Sequence, residues 1–128
     1  MLPAPGQGSL GVEAAGDLAE RDPDLHKALC TLDDFSTHVA VDAERAVLNA
    51  LEAGCTAPVG ALATVTPAPS ELKAESEIHL QAMTAAVDGS QMIRMSITGN
   101  ASQADELGRD LAALLLEAGA ADLLGEHE

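Results

Sequence analysis

Apolar and polar positions in the first half of the chain predict two helices. Asp22-Pro23 is a helix start signal, with Asp as the N-cap and Pro at the first helical position. Four apolar residues then recur at helical spacing: Leu25, Ala28, Leu29 and Leu32. A longer helix is predicted over Thr37 to Ala53, with Gly54 as the left-handed residue that ends it. Its predicted apolar face is Val39, Ala40, Ala43, Val47, Ala50 and Leu51, opposite Asp42, Arg45, Asn49 and Glu52.

The middle of the chain predicts a three-stranded antiparallel meander. Val59 to Val65 has strand character, and the cluster Pro67-Ala68-Pro69-Ser70 interrupts it. The segment Ile78 to Met83 alternates with period two, as a strand with one wet face does. Asp88-Gly89 is a strong hairpin signal, so Met92 to Ile97 is predicted as the returning strand.

The two ends of the chain differ in pattern. A last helix is predicted to begin at a cap within Asn100 to Ser102 and to run to about Ala118, with Gly119 as its stop. Its apolar residues are Leu107, Leu111, Leu114, Leu115 and Ala118. Residues 1–17 hold two Pro and four Gly without helical periodicity. The run Leu10-Gly11-Val12-Glu13 has the pattern of an isolated strand, which would need a partner strand from outside this chain. The element order ααβββα, after an irregular N-terminal segment, predicts an α+β domain. Its three-stranded antiparallel sheet would carry helices on one face.

Composition and charge exclude several functional classes. The 128 residues are 47% hydrophobic with a single aromatic residue, Phe35, so the core must be aliphatic. Six basic against 21 acidic residues give a net charge of −15, which disfavours nucleic acid and an anionic membrane surface as partners. No apolar run approaches the length of a membrane span, and the N-terminus lacks signal-peptide character. We therefore expect a cytoplasmic protein in which Cys30 and Cys55 are thiols.

Most candidate motifs fail on their context. Residues Gly6 to Gly11 spell G-x-G-x-x-G, but a dinucleotide site needs a preceding strand and a following helix, and the sequence predicts neither. The four histidines are scattered without zinc-like spacing, so no metal site is expected. No Ser-His-Asp signature is visible either.

Cys55 is the single residue whose position indicates a function. It lies in a predicted loop between the end of a helix and the start of a strand, and such loops often carry functional groups. The negative end of the helix dipole and the neighbouring Glu52 both disfavour a thiolate. A buried, inert thiol is the alternative that sequence leaves open.

Several segments together resemble the C-terminal part of the porphobilinogen deaminase (hydroxymethylbilane synthase) family. They are Leu2-Pro3-Ala4-Pro5-Gly6-Gln7-Gly8-Ser9-Leu10-Gly11-Val12-Glu13, Ala43-Glu44-Arg45-Ala46, and Leu51-Glu52-Ala53-Gly54-Cys55-Thr56-Ala57-Pro58-Val59-Gly60-Ala61. Asp88-Gly89-Ser90 and Leu107-Gly108-Arg109-Asp110-Leu111 follow in the family's order. The resemblance covers nearly the whole chain.

The resemblance implies a transferase that condenses four porphobilinogen molecules into hydroxymethylbilane with release of ammonia. It implies a dipyrromethane cofactor that is joined to Cys55 by a thioether. Cys55 would then be a covalent tether rather than a turnover nucleophile. Gln7 and Gly8 would lie near that cofactor. Glu44-Arg45 would be structural and orient their helix. The family's catalytic aspartate and the cations for the pyrrole carboxylates belong to two further domains, so no catalytic residue is expected within these residues.

The resemblance also implies a division of the chain. Residues 1–20 would form a crossover segment that belongs with a missing first domain, and residues 21–128 the cofactor-anchoring domain. The partners would be the first and second domains of the same enzyme, with porphobilinogen bound only by the whole. By itself the fragment is expected to be inactive and without cofactor. The alternative is a free-standing, non-catalytic binding or regulatory module that reuses the fold. The family often has Arg where Ala15 stands in this chain.

Overall fold

A computed structural model describes residues 1–54, 57–69, 72 and 75–124. Its elements run in the order α1 (Leu18–Arg21), α2 (Pro23–Cys30), α3 (Phe35–Ala50), β1 (Val59–Thr66), β2 (Glu77–Ala85), β3 (Met92–Asn100), α4 (Ala104–Glu117) and α5 (Ala120–Leu124). The predicted α+β class is confirmed, because three antiparallel strands form one open sheet with helices against it.

The sheet is the predicted meander in the order β1-β2-β3. Leu80 pairs with Ala63 on one side and with Ile97 on the other, which fixes the register of both pairs. The hairpin between β2 and β3 turns at Gly89, whose φ is +74°. The Asp88 carboxylate accepts a hydrogen bond from the Ser90 N–H at 2.9 Å and closes that turn.

The core lies between one face of the sheet and the helices α3, α4 and α5. Ile78, Leu80 and Ala82 alternate inward from β2, and Val47, Leu111 and Leu115 meet them from the helices. The opposite face of the sheet carries mostly polar side chains, among them His79, Gln81 and Arg94. Period-two alternation in β2 therefore separates the core face from the outer face.

The predicted helix over Thr37–Ala53 is displaced toward the N-terminus in the structure. α3 begins at Phe35 because the Asp34 carboxylate accepts the Thr37 N–H at 2.9 Å as the N-cap. It ends at Ala50, and the left-handed residue after it is Glu52, with a φ of 51°. The prediction that Gly54 supplies the left-handed end is therefore wrong. The hydrogen bonds from the N–H groups of Leu51, Glu52 and Ala53 already close the helix before Gly54.

Residues 10–34, which we call the arm, lie outside the packed core. The predicted strand Leu10–Glu13 is wrong, since these residues form no strand and Leu10 is 96% exposed. α2 begins as predicted, with the Asp22 carboxylate accepting the Leu25 N–H at 3.0 Å. No residue of α1 or α2 is buried, and Leu25 and Leu32 are exposed. The apolar face predicted for this helix therefore meets no core.

The C-terminal helix agrees closely with its prediction. The Asn100 side chain accepts the Ser102 N–H at 2.9 Å and caps a short 3-10 turn, Ala101–Gln103, that leads into α4. Of the five apolar residues predicted for its face, Leu107, Leu111 and Leu115 are buried, but two are exposed: Leu114 at 41% and the C-cap residue Ala118. Gly119 ends α4 with a φ of +101°, and the unpredicted α5 follows it.

Candidate functional site

Residues 2–9, which we call the strap, run along the free edge of β1. Leu2 is buried over Gly60, where an added Cβ would lie 3.0 Å from the Leu2 Cβ. The carbonyl oxygen of Pro3 accepts a hydrogen bond from the Ala61 N–H at 2.9 Å. The strap thereby covers an edge N–H group of β1 that would otherwise be open to another strand.

Glu44 of α3 joins the strap to the sheet. Its Oε2 accepts the Gly6 N–H at 2.7 Å, and its Oε1 accepts the Ala63 N–H at 2.8 Å. The side chain is buried at 7% exposure, and no lysine or arginine among the described residues forms an ion pair with it. Two backbone N–H groups therefore solvate a buried carboxylate, which is a charge-assisted arrangement.

The turn of the strap depends on two glycines. Gly6 and Gly8 have φ values of +74° and +86°, a region that L side chains rarely adopt. The Gln7 side-chain oxygen accepts the Ala4 N–H at 3.2 Å, and the Gln7 N–H donates to the Ala4 carbonyl at 3.1 Å. The glycines of the G-x-G-x-x-G run thus make a tight turn, with neither a preceding strand nor a helix directly after it.

An open cleft of about 250 Å³ lies between the strap, the first turns of α3 and β1. Its lining includes Gln7, Ser9, Thr37, Ala40, Glu44 and Val65. Gln7, a predicted cofactor neighbour, therefore borders a cleft beside the buried carboxylate, and Gly8 is exposed next to it. Neither prediction is tested by this placement.

Cys55, the predicted cofactor anchor, lies outside the described residues. Its described neighbours are Gly54 and Ala57, and the Ala57 N–H donates to the Gly54 carbonyl at 3.0 Å. Gly54 is exposed, and a Cβ added there would meet no described atom within 4 Å. These neighbours follow the C-terminal end of α3, whereas Gln7 borders its N-terminal half. The structure thus brings Gln7 and Glu44 to the same cleft.

No lysine or arginine is among the described residues that line the strap cleft. Arg109 pairs with Asp105 at 2.6 Å, and Arg21 pairs with Asp17 at 3.5 Å, each one turn away on its own helix. Arg94 donates to the Gln81 side-chain oxygen at 2.5 Å on the outer face of the sheet. The described residues that line the strap cleft therefore include no cation for a polycarboxylate.

One exposed ionic cluster lies where the arm meets α3. His38 Nδ1 is 2.8 Å from an Asp33 oxygen, and Nε2 is 3.5 Å from an Asp42 oxygen. The hydrogen bond to Asp33, and then the charges of Asp33 and Asp42, raise the pKa of His38.

Elsewhere on the arm the exposed Cys30 thiol lies 3.8 Å from His26 Nε2. No three His, Cys, Asp or Glu residues gather as a metal site in the described ranges, and no described helix is long and apolar enough to span a bilayer.

Comparison with known proteins decides the family. The family model for the C-terminal domain of porphobilinogen deaminase matches residues 38–117. The chain is 51% identical over 127 residues to the porphobilinogen deaminase of Nocardia farcinica. That alignment covers 98% of this chain and 36% of that protein. This chain belongs to the porphobilinogen deaminase family. It is also 48% identical to porphobilinogen deaminase 1 of Streptomyces avermitilis, over 100% of this chain and 39% of that protein. The porphobilinogen deaminase of Mycobacterium tuberculosis is 48% identical, over 97% of this chain and 39% of its own length.

The chain spans only 36–39% of the length of these relatives. The matched range 38–117 contains nearly all of α3, the sheet and α4, which form most of the packed core. The strap and the arm precede that range, but the alignments with the relatives cover almost the whole chain. The family resemblance inferred from the strap and the Cys55 segment is therefore confirmed.

Glu44 is the residue whose contacts the sequence analysis missed. It was expected only to orient its helix, yet it joins two segments that lie far from it in sequence. The available signal was its position, since Glu44 follows Ala40 by four residues and precedes Val47 by three. A carboxylate on the apolar stripe of a helix must find hydrogen-bond donors in the core.

Proposed function

We propose that this chain is the cofactor-anchoring part of a porphobilinogen deaminase, which condenses four porphobilinogen molecules into hydroxymethylbilane with release of ammonia. Cys55 would hold a dipyrromethane group through a thioether, so that its Sγ–H is replaced by an Sγ–CH₂ bond. The group supplies the pyrrole end to which substrate units are added. The observation that carries the proposal is the family match combined with a cysteine in the segment between the end of α3 at Ala50 and the start of β1 at Val59.

The surroundings of the Cys55 segment support a tether. A packed helix, α3, precedes the segment and an antiparallel sheet follows it, so both ends of the loop are fixed. The exposed Gly54 borders open space, which a bulky covalent group needs. A loop held by rigid elements can present a reactive side chain in one place.

The charge distribution supports a division of labour between domains. Porphobilinogen and dipyrromethane carry acetate and propionate groups, which need arginine or lysine partners. Two of the described arginines, Arg21 and Arg109, are ion-paired with an aspartate four residues before them, and the chain has a net charge of −15. Substrate carboxylates would accordingly be held by the first and second domains. The 128-residue chain alone would be inactive and free of cofactor.

The exposed arm supports the presence of a covering domain. Leu10 and Val12 are 96% and 62% exposed, and so are Leu25 of α2 and Leu32 just after it, at 46% and 65%. Single exposed apolar residues are common, but four within one segment that lacks a core indicate a surface covered by a partner. We propose that the missing first domain covers this arm, in line with the share of the relatives' length that the chain leaves unmatched.

The test is the mass and activity of the full-length enzyme with substitutions at each cysteine. Cys55→Ala is expected to remove the mass of one dipyrromethane and to abolish turnover while the fold persists, because no other group replaces the thioether. Cys30→Ala is the matched control, since the exposed Cys30 lies on the arm, and it should keep both cofactor mass and turnover. Turnover by Cys55→Ala, or loss of cofactor mass in Cys30→Ala alone, would overturn the assignment.

A further inference from the structure

We infer that Glu44 is a positioning residue of the enzyme, which clamps the strap onto the cofactor-anchoring domain and thereby fixes Gln7 and Gly8. This inference rests on the proposed function for its consequence in catalysis. The clamp itself rests on two hydrogen bonds, from the Gly6 N–H at 2.7 Å and from the Ala63 N–H at 2.8 Å.

The geometry of the clamp explains why a carboxylate is used. Gly6 and Ala63 are 57 residues apart in sequence, and both of their N–H groups point at one side chain from α3. A carboxylate offers two acceptor oxygens, one for each N–H group. An amide offers a single acceptor oxygen and an NH₂ group, which would face one of the two N–H donors. Glutamine is therefore not a conservative replacement at this position.

The two N–H groups differ in what else holds them. Ala63 lies in β1, where pairing with β2 fixes the backbone, and its side chain is buried. Gly6 lies in the strap turn, held there by the Gln7 and Ser9 backbone bonds and by Glu44. When only one acceptor remains, we expect it to stay with Ala63 and to leave Gly6. The strap should then loosen while the sheet stays intact.

A loosened strap would affect the rate rather than substrate binding. Gln7 and Gly8 directly follow the clamped residue, and Gln7 borders the same cleft as Glu44. Substrate carboxylates are assigned to the other domains, so their binding does not depend on the strap. A group that only orients reacting parts changes kcat, because misplacement by about 1 Å can cost up to about a hundredfold in rate.

The first test measures amide hydrogen exchange in the 128-residue chain, independently of catalysis. Glu44→Gln is expected to speed exchange of the Gly6 N–H by about tenfold or more, while Ala63 and the β2 amides change by less than about threefold. Glu117→Gln, at an exposed position on α4, removes the same charge and should change neither. Unchanged exchange at Gly6 in Glu44→Gln would refute the clamp.

A second variant loosens the strap without touching the core. Gly6→Ala places a Cβ at a φ of +74°, which strains the turn although the nearest described atom, Val41 Cγ1, is 3.8 Å away. It is expected to reproduce the faster exchange of the strap amides with Glu44 intact. If Glu44→Gln fails to fold, Gly6→Ala still tests the inference. Unchanged exchange of the strap amides in Gly6→Ala would contradict the role assigned to the turn at Gly6.

The second test uses the full-length enzyme and separates the inference from the proposed function. Both variants are expected to keep the cofactor mass on Cys55, to lower kcat by about tenfold and to leave KM within about twofold. Faster exchange at Gly6 with an unchanged kcat would overturn the positioning role. A wild-type enzyme without cofactor mass would instead refute the proposed function and leave the exchange result standing.

Discussion

The backbone of Gly108 in α4 lies directly against the carbonyl oxygen of Ala43 in α3. A Cβ added at Gly108 would come within 2.5 Å of that oxygen and within 2.5 Å of the Ala46 Cβ. The two helices approach this closely because glycine, Ala43 and Ala46 leave no bulk at the crossing. The close packing of α3 and α4 therefore requires a glycine at position 108, within the Leu107–Leu111 segment.

Gly108→Ala is expected to destabilise the fold by about 2 kcal/mol. Relief of the contact requires the helices to separate, and this outweighs the gain of about 1 kcal/mol in helix propensity. Urea unfolding followed by far-UV circular dichroism measures the change. Gly11→Ala is the control, since a Cβ there meets no described atom within 4 Å, and it should shift stability by less than about 0.5 kcal/mol. Equal effects of the two substitutions would show that the crossing tolerates the added methyl group.

Thr84→Val is expected to stabilise the protein by about 1 kcal/mol. Thr84 is fully buried on the core face of β2, and its hydroxyl has no hydrogen-bond partner among the described residues. Replacing an unsatisfied buried hydroxyl by a methyl group of the same shape removes a desolvation cost. The same urea experiment measures this gain. Thr98→Val is the matched control, because its hydroxyl lies 2.9 Å from His79 Nδ1 on the outer face, and it should not stabilise. A loss of stability in Thr84→Val would be inconsistent with an unpartnered hydroxyl.

The two N-caps, Asp22 and Asp34, should differ in their effect on global stability. Asp34→Ala removes the cap of α3, which packs on the core, and should cost about 1 kcal/mol of unfolding free energy. Asp22→Ala removes the cap of α2, which has no buried residue, so it should reduce helical signal with little change in the urea midpoint. A shift of the midpoint by Asp22→Ala as large as that by Asp34→Ala would show that the arm packs on the domain.

His38 should titrate above the ordinary histidine pKa of about 6.5. The hydrogen bond that His38 Nδ1–H donates to the Asp33 carboxylate, and then the charges of Asp33 and Asp42, favour the protonated ring and raise its pKa. Because the folded-state pKa exceeds the unfolded one, the stabilisation by this cluster is present below the unfolded pKa and is lost as pH rises through the folded pKa. Proton NMR of the imidazole measures the midpoint. Asp33→Asn should lower it more than Asp42→Asn, since the distances from the ring are 2.8 Å and 3.5 Å. The reverse order would contradict Asp33 as the main cause.

Sequence alone determined the elements whose signals are local. The Asp22-Pro23 start, the Asp88-Gly89 hairpin and the Gly119 stop each depend on a few neighbouring residues, and each is present in the structure. The alternation in β2 and the period of α4 predicted which side chains form the core. Turn chemistry and periodicity act within one element, so they can be recognised without a partner. The family too was recognised from short segments around Gln7 and Cys55.

Tertiary structure alone decided where these elements pack and what the polar residues contact. The apolar pattern of α2 predicted a face that packs on a core, yet no residue of α2 is buried, because burial requires a partner surface that periodicity does not specify. α3 ended before Gly54 because hydrogen bonds closed it at Glu52. Glu44 gained its role from Gly6 and Ala63, which approach it only once the strap lies along β1. Long-range contacts of this kind follow from the folded path of the chain, and no local pattern encodes them.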